Sequence, residues 1–320
     1  MAPRPLAALT FVILLLVPLI AQDYWVDQLT RYVLFGLFAM SLSLVWGRGG
    51  MLCFGQAMFF GGGGYIMATV TLGMWGEGLT DSLLGLMIAL ICAAAFAALL
   101  GYFLFWGKGL SGAYLAVVTL AIAYVLEQAV KSWYALGGDN GISGVPPITF
   151  AGFEFWQTSP RYYLILGVCI VVYALLDRLV RSPFGVMLTG VRTNPDRAMY
   201  LGFNVFTIRV TAFVIGAVIA ALSGALFVAV DEFASPTLIG FALSTEVLIW
   251  VALGGREMPL AAFVAAILIR IVETYLSELF GAYWILALGG LLMVSVVMLP
   301  KGLLATPFAL FQSRRKLNQQ

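Results

Sequence analysis

Residues 178–209 are RLVRSPFGVMLTGVRTNPDRAMYLGFNVFTIR. In a chain that is 62% apolar with mean hydropathy +1.02, this stretch is the longest polar and basic island between two long hydrophobic segments. It carries Arg178, Arg181, Arg192, Arg197 and Arg209. Ser182 is a suitable N-cap and Pro183 suits the first helical position. Phe184, Met187, Leu188 and Val191 then fall at i, i+3, i+4 and i+7, one face of a helix. Asn194-Pro195 stops that helix and opens another, which ends at Gly202. Such short helices cannot cross a bilayer, which takes about 20 apolar residues. They predict a hairpin at the cytoplasmic face whose apolar stripe rests on lipid headgroups or docks a soluble partner.

Beyond this island the composition sets the class. Charged residues are 10% of the chain, His is absent and there are 35 glycines, which predicts an all-α, polytopic helical membrane protein. Cys53, Cys92 and Cys169 are scattered in apolar surroundings without a CxxC pair, so neither a disulfide framework nor a metal site is indicated. Without His, the usual general base and the commonest metal ligand are both missing. An enzyme is not indicated.

Ten apolar segments follow in order: 6–21, 32–46, 51–75, 83–106, 113–134, 162–176, 206–230, 241–253, 260–276 and 283–299. The first reads as a span and not a signal peptide, because no convincing cleavage site follows it. Placing the hairpin in the cytoplasm puts Arg4, Arg48, Lys108, Arg256, Lys301, Arg314, Arg315 and Lys316 there too. Those eight and the five of the hairpin make 13 of the 17 Lys and Arg. Asp23, Asp27, Glu77, Asp81, Asp139, Glu154, Asp231, Glu232 and Glu278 fall outside. The positive-inside rule is met with both termini cytoplasmic. The expected organisation is one transmembrane domain over 1–320. It comprises N-terminal spans (6–177) with an outer loop (137–160), the hairpin (178–209), C-terminal spans (206–300) and a basic tail (301–320).

Three constellations stand out. Gly47 to Ala68 holds Gln56 and the run Gly61-Gly62-Gly63-Gly64, which reads as an unwound segment lining a cavity or as close helix packing through small residues. Gly138-Asp139-Asn140-Gly141-Ile142-Ser143-Gly144-Val145-Pro146 is a turn-rich outer loop. Glu127, Glu246, Arg270 and Glu273 are charges at membrane depth, each costing about 2.5–3.5 kcal/mol at a bilayer centre. Arg270 and Glu273 are an i, i+3 pair; Glu127 lies either at this depth or near the outer interface beside Lys131, its i+4 neighbour, and Glu246 has no partner in sequence. Glu127 and Glu246 are candidates for the substrate pathway, together with Gln56, Gly62 and Gly63. Gly216, Ala220 and Gly224 beside Ala217, Ala221 and Ala225 form a flat helix face suited to the bundle centre or a subunit seam.

These features carry a resemblance. Asp196-Arg197-Ala198 followed by Gly202 is similar to the Glu-Ala-Ala-x-x-x-Gly loop of ABC importer permeases, and Ser182 to Gly202 resembles that loop in branched-chain amino acid permeases of the LivM/LivH type. Cys53 to Ala57 with Gly62 to Tyr65 is similar to that family's Leu-Ser-x-Gly-His-Ala-x-Phe-x-Gly-x-Gly-Ala-Tyr stretch. Gln56 stands in place of its His, so no proton-transfer role carries over. Residues 137–146 match its Gly-Gly-x-x-Gly-x-x-Gly-Ile-Pro loop at nearly every position. Trp250 and Gly254-Gly255-Arg256 look closer to the urea and short-chain amide branch, which leaves the solute open.

The resemblance implies a transport subunit in the bacterial inner membrane. Its implied partners are a homologous second permease, two cytoplasmic ATP-binding subunits that bind ATP and Mg, a periplasmic solute-binding protein and membrane lipid, with no nucleic acid. No GxxxxGK[ST] loop is present, so ATP would be hydrolysed by another chain. An ion-coupled transporter using Glu127 or Glu246 is the rival, but it would not require the hairpin.

Overall fold

The computed structural model of the chain describes residues 4–76, 80–107, 109–150, 153–280 and 290. The expected tenth span (283–299), the basic tail, Lys108 and Glu77 lie outside the described residues. The helices are α1 (Arg4–Leu16), α2 (Asp23–Leu42), α3 (Gln56–Thr71), α4 (Ser82–Phe105), α5 (Gly112–Ser132) and α6 (Thr158–Arg181). The short α7 (Pro183–Thr193) and α8 (Pro195–Tyr200) follow, then α9 (Val205–Asp231), α10 (Phe241–Gly254) and α11 (Pro259–Phe280). Among the described residues six helices are long and apolar enough to cross a bilayer: Asp23–Arg48, Ser82–Phe105, Gly112–Ser132, Thr158–Arg181, Val205–Asp231 and Pro259–Glu278. The chain is an all-α polytopic membrane protein.

Helix α9 sits at the centre, packed against α2, α3 and α4, while α11 covers α2 and α10 and α6 lies on α2. Both small-residue rows of α9 are buried, so its flat face serves the middle of this chain and not a subunit seam. The tetraglycine segment is a continuous part of α3, which corrects the expectation of unwound backbone there. Close approach explains three of its four glycines. A methyl at Gly63 would run into the backbone of Ala221, one at Gly64 into Val228, and one at Gly61 into Ile239 and Leu238. Inside lipid, helices associate by this contact and by hydrogen bonds, since lipid tails are as apolar as the helix surfaces. With only 16 residues, α3 is about 24 Å long, and its nearly complete burial means it need not match the bilayer.

Helix α6 has 24 residues and α9 has 27, lengths of about 36 and 40 Å. They therefore separate two ends of the bundle. At one end lie α7, α8 and the turn after α2, where residues 43–48 widen into a π-helix and Ser43 Oγ donates to the Arg256 carbonyl at 2.9 Å. At the other, β1 (Ile142–Ser143) pairs antiparallel with β4 (Phe233–Ala234), and β2 (Thr149–Phe150) pairs with β3 (Phe153–Glu154). The basic residues at this second end are matched by carboxylates. Arg31 pairs with Asp27 at 3.3 Å and Asp231 at 3.0 Å, Arg161 pairs with Asp27, and Lys131 pairs with Glu127 at 2.7 Å. The surplus positive charge thus gathers at the hairpin end.

Candidate functional site

Four groups of residues form the candidate site. The first surrounds α3. Its entry is fixed to α5: the Phe54 N–H donates to Thr119 Oγ1 at 3.1 Å, and Gly55 rests on the Thr119 carbonyl. That places Gln56 in the interior, fully buried, with Nε2 donating to Ser41 Oγ at 3.2 Å and Oε1 without a partner. One turn and a half further on, Gly62 differs from its neighbours: a methyl there would meet nothing within 4 Å. It opens onto an apolar cavity of about 280 Å³ between α3, α4 and α5, and Gly63 lines the same cavity.

The second group is the charged residues. Glu127 is nearly buried and held by Lys131, and its carboxylate lies against Gly240. Glu246, unpartnered in the sequence reading, is 3.4 Å from Arg270 Nη1, which also donates to Glu273 at 2.9 Å. The Arg270 guanidinium lies 4.3 Å from the centre of the Phe35 ring, and Trp250 flanks it at 5.7 Å. Two carboxylates therefore share one cation among aromatic rings, an arrangement that lowers the cost of keeping charge at this depth. Glu127 and Glu246 are not brought together, since each belongs to its own ion pair.

The third group is the glycine-rich loop. Gly137, Gly138, Gly141 and Gly144 have φ of +82°, +56°, +74° and +77°, conformations that only glycine adopts without strain. The loop is pinned to the far end of α9: the Gly144 and Val145 N–H groups both donate to the Glu232 carbonyl, at 3.1 and 3.2 Å. Gly138 is buried and Pro146 half-buried, while Asp139, Asn140 and Gly144 face outward. The loop is a shaped surface, not a loose connector.

The fourth group is the helical hairpin. Asn194 caps α8, its Oδ1 accepting from the Arg197 N–H at 2.9 Å, and Gly202 leaves that helix with φ +87°. Pro183 takes the first position of α7 as expected. Ser182 does not cap α7; its hydroxyl turns back and donates to the Leu179 carbonyl at 2.6 Å, closing α6 instead. The apolar stripe also needs correcting. Leu188 and Val191 are buried, 1% exposed each, and Phe184 and Met187 pack half-buried against the core. Helical period locates such a stripe but cannot say whether it meets a partner or its own chain. Here it meets its own chain. The outward face is Val186, Met199, Leu201 and Tyr200, the last 91% exposed, beside exposed Asp196, Arg197 and Gly202; Ala198 is turned inward.

Arg192, counted in the sequence only as one of the hairpin's basic residues, makes contacts that the sequence did not show. From α7 it donates to the Gly47 carbonyl and, at 2.8 Å, to Glu257 Oε1, tying the hairpin to the turns after α2 and α10. Its only sequence signal was a basic residue in the last turn of a short helix.

The family described as "Branched-chain amino acid transport system / permease component" matches residues 24–297, a range that holds all four groups. The high-affinity branched-chain amino acid transport system permease protein LivM of Escherichia coli K12 is 32% identical over 327 residues, covering 92% of this chain and 74% of that protein. The LivM of Salmonella typhimurium is 31% identical, with 87% and 69% covered. A probable LivM of Methanocaldococcus jannaschii is 27% identical, with 63% and 67% covered. With most of its length matched by the profile and by relatives at this identity, the chain belongs to the family of branched-chain amino acid transport permeases.

Proposed function

We propose that this chain is one of two permease subunits of an ATP-driven importer for branched-chain amino acids in a bacterial inner membrane. The observation that carries the reading is the likeness over residues 24–297 to permeases named for that transport. In this reading the chain crosses the membrane ten times with both termini cytoplasmic. Among the described residues, the excess of basic over acidic side chains at the hairpin end supports that orientation. A periplasmic binding protein docks on the outward residues Asp139, Asn140 and Gly144, and solute passes between this subunit and a homologous partner. Two cytoplasmic ATP-binding subunits grip the hairpin at Asp196, Arg197, Met199, Tyr200 and Leu201.

The mechanism is alternating access. Closure of the ATPases displaces α7 and α8 as a unit, because Asn194 and Pro195 fix their junction. Arg192 carries that displacement to Gly47 and Glu257, and so to the ends of α2 and α10. Helices α6 and α9, which flank the hairpin, carry it across the bilayer. Deleting the gene should abolish high-affinity uptake of leucine, isoleucine and valine, and a plasmid copy should restore it. Uptake that persists unchanged in the deletion strain, with no second permease of this family present, would refute the assignment.

A further inference from the structure

Three glycines of α3 are required by packing and the fourth is not. Glycine is less favourable than alanine within a helix, and at Gly62 no neighbour demands it. Gly62 borders the 280 Å³ cavity, whose walls also include Phe59 and Ile66 of α3, Phe96 of α4, and Leu126 and Val130 of α5, with Ile239 alongside. Besides the Cys92 thiol, its lining includes Tyr65, 5% exposed, with a buried hydroxyl that has no hydrogen-bond partner. An unsatisfied buried hydroxyl is uncommon and suits a site that awaits a ligand. Apolar cavities of about 150 Å³ accept guests the size of benzene, so this one has room for a branched chain of four carbons.

Charge stands beside it. Glu127 and Lys131 each follow directly on a wall residue of α5, Leu126 and Val130, and the Glu127 carboxylate lies against Gly240, next to Ile239. Neither lines the cavity itself, but their ion pair, 2.7 Å long, offers one negative and one positive group within one residue of its wall. A zwitterionic amino acid with an aliphatic side chain has the same distribution of charge and apolar surface. We propose that the cavity beside Gly62 receives the aliphatic side chain of the transported amino acid, and that Glu127 and Lys131 exchange their mutual ion pair for its ammonium and carboxylate. This assignment rests on the import reading above and names the part of the chain that senses side-chain size. A polar side chain would enter without partners beyond the Tyr65 hydroxyl and the Cys92 thiol and is disfavoured.

The test measures kcat/KM for leucine and for valine in proteoliposomes holding the whole complex, supplied with binding protein and internal ATP. Gly62→Ala adds a methyl into open space, so the fold is kept while the chamber becomes shallower. Gly62→Val fills more of it. Leucine should lose against valine by several-fold in Gly62→Ala and by tenfold or more in Gly62→Val, the range set by a methylene that no longer fits. Glu127→Gln should lower uptake of both while leaving their ratio unchanged. If wild type imports leucine but both Gly62 variants keep the wild-type ratio, the cavity assignment falls alone, and the chamber belongs to a lipid acyl chain or to packing. If the wild-type complex imports neither amino acid, the import reading falls and takes this assignment with it.

Discussion

Gly224 of α9 lies so close to Phe60 of α3 that a methyl group at position 224 would overlap the Phe60 carbonyl oxygen. Gly63 of α3 meets the backbone of Ala221 in the same way. The two helices touch main chain to main chain, and this contact seats Gln56 and Gly62 within the bundle.

Gly224→Ala and Gly63→Ala should each destabilise the protein by about 1–3 kcal/mol or more, since an added carbon must push two backbones apart. Gly62→Ala, one position away, should be neutral or slightly stabilising. Thermal unfolding in detergent checks the set. Equal midpoints for the Gly62 and Gly63 variants would contradict the packing described.

Arg270 holds Glu273 and Glu246 while lying over Phe35. Removing the cation in Arg270→Met leaves two carboxylates without compensation and should cost about 3–5 kcal/mol. Arg270→Lys keeps the charge but loses the planar stack on Phe35, so it should fall between. The yield of folded protein after membrane extraction, with its unfolding midpoint, reads both. Wild-type stability in Arg270→Met would mean that the cluster is not held as a unit.

The hairpin has one buried face and one exposed face. Leu188→Ala should destabilise it by about 2–5 kcal/mol, because that side chain is enclosed. Tyr200→Ala with Leu201→Ala should leave stability unchanged. If both side chains are buried on docking, the pair contributes about 1.5–3 kcal/mol each, and its loss weakens binding of the ATPase at least a hundredfold. Co-purification of the ATP-binding subunit with the Tyr200/Leu201 variant at wild-type yield would show that this face does not meet it.

Much of this architecture was legible in the sequence. Long apolar runs marked helices α4, α5, α6 and α9, and the break at Asn194-Pro195 with the stop at Gly202 marked the hairpin, because both signals are local. The glycine loop was legible too, since only glycine adopts the positive φ its turns use. What could not be read was pairing across the chain. Glu246 and Arg270 are 24 residues apart, and Arg192 and Gly47 are 145 apart. No periodicity relates them. The direction of the α7 stripe was hidden for the same reason: its spacing is identical whether it faces a partner or α6. The open space at Gly62 was hidden within a run of four identical residues, of which three are there for contact.

If ATP hydrolysis by separate subunits drives an amino acid through this chain, transport follows the nucleotide and not an ion gradient. The most direct test is leucine uptake by proteoliposomes containing the complete complex, with ATP inside and an uncoupler and sodium ionophore present. Uptake should depend on internal ATP and binding protein and be unaffected by collapse of the proton and sodium gradients. Uptake that stops when the gradients collapse while ATP is held constant, or that proceeds without ATP, would contradict it.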